Sequence, residues 1–232
     1  MKLAIMQPYF FPYIGYWQLI HAVDRFVIYD DVNYIKGGWV NRNRILINGN
    51  PIFFTAPLHQ SSPFKRICDT NLHPSLSWRD KLVKMVVTTY RRAPYFEEVF
   101  PIVEKLILFE SNNLANYLAN QLHTLALTFG LATRFIMTSR CYNNNALSGQ
   151  KRVLDICEKE GAVTYVNPQG GTDLYNRAAF EARGVELKFL MPLQSEYRQF
   201  GPVHVPRLSI IDVMMFNSRS QVSTLLNRYE LA

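Results

Sequence analysis

In this 232-residue chain, two aspartates, one glutamine and a run of cations among amides have the types and spacing that suit chemistry. Asp30 and Asp31 stand together directly after the apolar run 25–29, and Gln7 follows another at 2–6. Residues 32–45 then set Lys36, Arg42 and Arg44 among Asn33, Asn41 and Asn43, with Tyr34 and Trp39 between them. Lysine and arginine beside amides that both donate and accept are suited to holding phosphate or carboxylate. Gly37 and Gly38 let the backbone approach a ligand closely or take an unusual turn. A merely solvated loop is as polar, yet it rarely spends a tryptophan and two adjacent glycines as well. For the aspartates the plain alternative is a turn cap.

Those residues need elements that bring them together. Residues 2–7 read as a buried strand, and 8–16 as an aromatic loop pinned by Pro8 and Pro12 and released by Gly15. Residues 17–22 read as a helix and 25–29 as a second strand. This is a βαβ unit whose parallel strands end side by side. In open α/β sheets ligands bind beyond those carboxyl ends. Gln7, Asp30 and Asp31 therefore belong at one sheet edge, and Tyr9 and Tyr16 of the loop are counted with them as candidate substrate contacts.

Further along, two apolar runs around Asn48-Gly49-Asn50 predict a hairpin over 45–55. From Trp78 the pattern turns helical, with Leu82, Val83, Val86, Val87 and Tyr90 on one face. Ala93-Pro94 breaks that helix. Pro94 is expected in the first turn of the next, with Glu97 and Glu98 near its positive end and a possible kink at Pro101. Residues 111–113 cap a third helix that runs to Phe129 and stops at Gly130. Residues 77–130 thus form a helical insertion in one α/β domain spanning 1–232. Strands at 132–137, 163–166 and 185–190 then alternate with helices at 150–160 and 174–182. The spacing predicts a doubly wound, Rossmann-like, mainly parallel sheet. Asn167-Pro168-Gln169-Gly170-Gly171-Thr172-Asp173 lies past a strand end and opens a helix. It is either an anion cradle of backbone amides at Gly170 and Gly171 or an ordinary turn that Asp173 caps.

Two long stretches resemble the signature of the WbqC-like proteins. Residues 6–20 read Met-Gln-Pro-Tyr-Phe-Phe-Pro-Tyr-Ile-Gly-Tyr-Trp-Gln-Leu-Ile, and residues 30–45 read Asp-Asp-Val-Asn-Tyr-Ile-Lys-Gly-Gly-Trp-Val-Asn-Arg-Asn-Arg-Ile. The likeness continues through Trp78, residues 90–96 and residues 208–217, so it covers essentially the whole chain. The family is associated with bacterial O-antigen and surface-polysaccharide genes, some of them beside genes for amino sugars with an N-linked glycyl-type group. The resemblance implies transfer of an aminoacyl or acyl group to an amino sugar. A second likeness concerns architecture alone. Tyr13-Ile14-Gly15-Tyr16 stands where nucleotidyltransferases of the HIGH superfamily place a His-x-Gly-His element, with tyrosine replacing both histidines.

Composition narrows the setting. Hydrophobic residues at 48% and aromatics at 13% fit a well-filled core. Cys68, Cys141 and Cys157 are too few and too scattered for a disulfide framework or a zinc ribbon, and a reducing compartment fits them. No charged-then-apolar leader precedes the first strand and no run is long enough to span a membrane, so a cytoplasmic protein is expected. A net charge of +7 favours anionic partners. Its dispersal suits a small anion such as a nucleotide sugar better than a long nucleic acid. No histidine pair has metal-ligand spacing. Cys157 reads as core, and Cys141 is the cysteine to consider as a nucleophile. Asp212 interrupts an apolar helix and, if buried, must be paired, for instance by anchoring a site arginine.

Acylating an amine requires a base to take its proton and donors for the oxyanion. Asp30 or Asp31 is the expected base. Lys36, Asn41, Arg42 and Asn43 are expected to hold a diphosphate or the oxyanion, with Trp39 among them. No tightly bound cofactor is expected, and the donor stays open between a thioester carrier, an aminoacyl-tRNA and an adenylate. The alternatives are a non-catalytic component that binds an anion or nucleotide sugar, and an enzyme of nucleotidyl or adenylyl transfer.

Overall fold

The computed structural model describes residues 1–193 and 196–232. Its order begins β1 (Lys2–Met6), α1 (Ile14–His21), β2 (Arg25–Ile28), β3 (Arg42–Ile47), β4 (Asn50–Thr55), β5 (Leu58–His59) and β6 (Asn71–Leu72). Next come α2 (Ser77–Tyr90), α3 (Phe96–Leu108), α4 (Leu114–Thr128), β7 (Arg134–Ile136), α5 (Gly149–Glu160) and β8 (Thr164–Pro168). The chain closes with α6 (Arg177–Glu181), β9 (Glu186–Pro192), α7 (Ile210–Phe216), α8 (Arg219–Leu226) and β10 (Tyr229–Leu231).

The central sheet runs β10-β9-β8-β1-β2-β7 and is parallel except for β10. Strand alternation divides its side chains between two cores. Leu3, Ile5, Val27 and Tyr165 face α5 and α6, where Ile156, Cys157 and Phe180 are fully buried. Ala4, Phe26, Ile28 and Val166 face the larger core built with α1, the helices α2 to α4, and α7 with α8. Both faces are therefore covered, which is why the strands read as nearly continuous apolar runs. None of the described helices is long and apolar enough to cross a membrane.

Local chemistry explains most boundaries. Asn48 and Gly49 both take positive φ, 50° and 77°, the conformation that lets a two-residue turn join twisted strands. Asn113 caps α4 by accepting from the Asn116 N–H, and Gly130 and Gly161 end α4 and α5 in the left-handed region. Other expectations need correction. The first helix starts at Ile14, not at Trp17, so Gly15 lies inside its first turn, where a β-carbon would meet the Tyr13 ring. Pro94 precedes α3, because Ala93 and Phe96 already close a turn there with Tyr90 and Ala93 carbonyls. Residues 169–174 form a 3-10 turn, and α6 is five residues long with Asn176, not Asp173, as its cap.

Candidate active site at the sheet edge

The loop after β1 is held rigidly in an uncommon conformation. Phe11 has φ 40°, a costly backbone for a bulky residue, on the order of 1–3 kcal/mol. Its N–H donates to Gln121 Oε1 at 2.6 Å, and its carbonyl accepts from Asn43 Nδ2 at 2.9 Å and Ser209 Oγ at 2.8 Å. The Pro12 carbonyl accepts from the Trp17 indole and the Ile210 N–H, each at 3.0 Å. Phe10, Phe11 and Trp17 are fully buried, and each contributes about 1.5–3 kcal/mol by leaving water. Burial and hydrogen bonding outweigh the strain.

What this loop presents outward matters more. Tyr16 is buried and gives its hydroxyl to the Gln7 carbonyl at 2.8 Å, so burial pushes its phenol well above the usual range. Gln7, Tyr9 and Tyr13 are half-buried. Among the described residues, the Gln7 amide and the Tyr9 and Tyr13 hydroxyls have no hydrogen-bond partner. No side chain caps the first turn of α1, which begins beside them. Burial raises the Tyr13 phenol while the Arg207 charge works against that. Arg207 is exposed, and its φ of 57° is unusual for the residue type.

Asp30 and Asp31 emerge at the neighbouring strand end, as β1 and β2 pair from Leu3 with Arg25 to Met6 with Ile28. They do not cap a turn. The Asp30 carboxylate accepts from Thr138 Oγ1 at 2.8 and 2.9 Å and from the Ser139 N–H at 3.0 Å, which ties β2 to the loop after β7. Arg140 Nε lies 3.6 Å from it. Asp31 accepts from Ser139 Oγ and from Arg152 Nη2, the latter at 2.5 Å. Arg152 also donates to Asn144 Oδ1 at 2.9 Å and stacks over Tyr29 at 4.9 Å. The carboxylate side chains are 2% and 3% exposed, so protein donors surround both.

The charged segment that follows divides by depth. Asn41 and Asn43 are buried and structural. Asn41 joins Tyr34 to the Ala56 carbonyl, and Asn43 holds the Phe10 and Phe11 carbonyls. Trp39, Arg42 and Arg44 form an outward ladder with Phe53. Arg42 lies 4.3 Å over Phe53 and donates to the Gly37 and Gly38 carbonyls, while Arg44 lies 5.5 Å over Trp39. Lys36 is exposed. Among the described residues, no hydrogen bond or ion pair links Lys36 or Arg42 to Asp30 or Asp31. At the end of β8, Gly170 and Asp173 are exposed. Gly171 is buried, and a β-carbon there would collide with the Asn167 amide. Glycine at 171 thus serves packing against Asn167.

Sequence reasoning missed Thr138, Ser139 and Arg152, the partners of the aspartates, and Gln121, which holds Phe11. One signal existed: Arg152 shares a helical face with Ile156, an arginine where an apolar residue is expected. Cys157 is in the core, as expected, at 0% exposure. Cys141 is exposed, but burial of its thiol and the nearby Glu160 charge raise its pKa, the opposite of an activated nucleophile. Asp212 anchors no arginine. It accepts from Tyr90, Tyr197 and Gln199.

A mainly parallel α/β sheet with unpartnered polar groups at its carboxyl edge is the class that fold and site define. The chain belongs to the WbqC-like protein family, which it matches over residues 7–224. It is similar to the uncharacterized protein Rv1507c of Mycobacterium tuberculosis, with 26% identity over 219 residues and 93% of each chain covered. No solved structure gives a significant match.

Proposed function

We propose that this chain is a transferase that places an aminoacyl, glycyl-type, or acyl group on the amine of a nucleotide-linked amino sugar. The setting is bacterial O-antigen or related surface-polysaccharide synthesis, in the cytoplasm. The reading treats the sheet as Rossmann-like and doubly wound. In sheet order, β7, β2, β1, β8 and β9 are the third, second, first, fourth and fifth parallel strands. Connections from β1 go one way to β2, and the later strands lie on the other side. A crevice then opens between the carboxyl ends of β1 and β8, where such sheets bind ligands.

The observation that carries the reading is the unpartnered set Gln7, Tyr9 and Tyr13 beside the uncapped start of α1. Polar groups that a folded chain leaves half-buried and unbonded are groups a ligand can satisfy. In this reading the diphosphate lies at the α1 terminus and Arg207, where backbone N–H groups and the helix dipole favour an anion. The Gln7 amide and the two phenols hold the sugar. The aspartates take a different part from the expected one. A general base must reach the proton it removes, and these carboxylates reach protein donors instead. Asp30 and Asp31 act as positioning residues that hold Ser139, Arg140 and Arg152 at the edge. The donor class is a thioester carrier, an aminoacyl-tRNA or an adenylate.

Calorimetric or thermal-shift titration with UDP- and dTDP-linked amino sugars tests the binding half. At a hundredfold excess over Kd the expected rise in Tm is about 5–10 °C. Incubation with each donor class should then add the mass of the acyl group to the sugar. Absence of binding for every nucleotide-linked amino sugar would overturn the reading. Binding without turnover leaves a non-catalytic nucleotide-sugar-binding component. Nucleotidyl or adenylyl transfer is the other reading, and ATP-dependent release of pyrophosphate would reveal it.

A further inference from the structure

A cavity of about 60 Å³ opens between α3, α4, α7 and α8, and none of the sheet-edge residues lines it. A buried water needs roughly 10–15 Å³, so this space takes a group of several heavy atoms. Its floor is part of the core: Val99, Met214, Val222 and Leu226 are each no more than 7% exposed. Such a floor offers water no hydrogen bond, and an apolar group displaces water from it favourably. The rim carries Glu98 and Arg219, opposite charges that pair neither with each other nor with any other described side chain. The positive end of α8 adds to the Arg219 charge, whereas Glu98 stands in the first turn of α3, whose positive end offsets part of its charge. Arg219 is the first residue of α8, at its positive end, and Thr128 and Phe129 bring the negative end of α4 to the same rim.

We infer that this cavity is a binding site for a free aliphatic α-amino acid. The branched side chain occupies the apolar floor. The carboxylate meets Arg219, and the ammonium meets Glu98 and the carbonyl end of α4. Nothing in this assignment depends on what the sheet edge binds.

Isothermal titration calorimetry of the full chain with L-leucine, L-valine, isovalerate and isopentylamine tests it. L-Leucine or L-valine should bind, while isovalerate and isopentylamine, each keeping one head group, bind about tenfold more weakly or worse. Arg219→Ala should weaken the amino acids and isovalerate about tenfold and leave isopentylamine unaffected. Glu98→Gln should do the converse. Ser223→Phe adds a ring at the exposed rim, leaves the buried floor intact and should abolish binding, with an unchanged melting curve confirming the fold. Absence of heat for both amino acids, or equal binding to Ser223→Phe, would overturn the assignment.

Discussion

Between Asp31 and Arg152 the molecule buries a full ion pair, with both side chains 3% exposed. Removing one partner of such a pair strands a charge, so Arg152→Ala should cost about 3–5 kcal/mol in urea unfolding. Asp31→Asn combined with Arg152→Met should cost less than the sum of the single changes, as the pair shares one network. Asp212 has the opposite sensitivity. Burial raises its pKa above the usual carboxylate value, against the hydrogen bonds from Tyr197, Tyr90 and Gln199. The native state thus holds this proton more tightly than the unfolded chain does. Its contribution is present below about pH 4, the unfolded value, and is lost as pH rises through the raised native value. Asp212→Asn should flatten that part of the stability–pH curve, and an unchanged curve would contradict the assignment. The sequence told that Asp212 needed partners, since a carboxylate on an apolar helix cannot stay bare. It did not tell which, because Tyr90 lies 122 positions away and only tertiary packing brings it there. Separations of 108 and 121 positions likewise hid Ser139 and Arg152 from Asp31.

Elements bounded by local chemistry were the legible ones. Asn48-Gly49, Asn113, Gly130 and Gly161 each act within a few residues, so hairpin and helix ends followed from composition. The turn over 169–174 was not legible: two glycines and a terminal aspartate suit a helix start as well as a 3-10 turn. In the folded chain these residues form a 3-10 turn, with Gly171 packed so closely on Asn167 that a β-carbon would collide with its amide. The start of α1 likewise depends on the Tyr13 ring lying over Gly15, and the terminal α8 and β10 gave no pattern distinct from the preceding apolar helix. Gly15 supplies the test at this scale. Gly15→Ala removes a helical glycine, worth about 0.5–1 kcal/mol of stability, but its methyl group displaces the Tyr13 ring. The variant should melt no lower than wild type and bind nucleotide-linked sugar more weakly. A variant that binds as well as wild type would remove Tyr13 from the site. Asn113→Ala, a cap removal, should cost about 1 kcal/mol and leave binding unchanged.

At the scale of the molecule, alternation of strands and helices disclosed a mainly parallel sheet, and the charge of +7 pointed to an anion. Lys36 and Arg42, expected to hold a diphosphate or the oxyanion, share no hydrogen bond or ion pair with Asp30 or Asp31 among the described residues. Arg42 and Arg44 stack on Phe53 and Trp39, while the loop before α1 leaves the side chains of Gln7, Tyr9 and Tyr13 without hydrogen-bond partners among the described residues. That loop is strained at Phe11 and pinned from α4, α7 and β3, so it is a preformed surface and not one that orders on binding. Arg207→Ala should therefore weaken nucleotide-sugar binding by about 1.5–3 kcal/mol, the range for a charged hydrogen bond, while Arg42→Ala changes it little. The central claim is that the crevice between β1 and β8 receives a nucleotide-linked amino sugar, and a crystal structure with a UDP-linked amino sugar bound tests it most directly. The account predicts the diphosphate at the first turn of α1 beside Arg207, with the sugar against Gln7 and Tyr13. A diphosphate held instead by Lys36, Arg42 and Arg44 on the hairpin would contradict it.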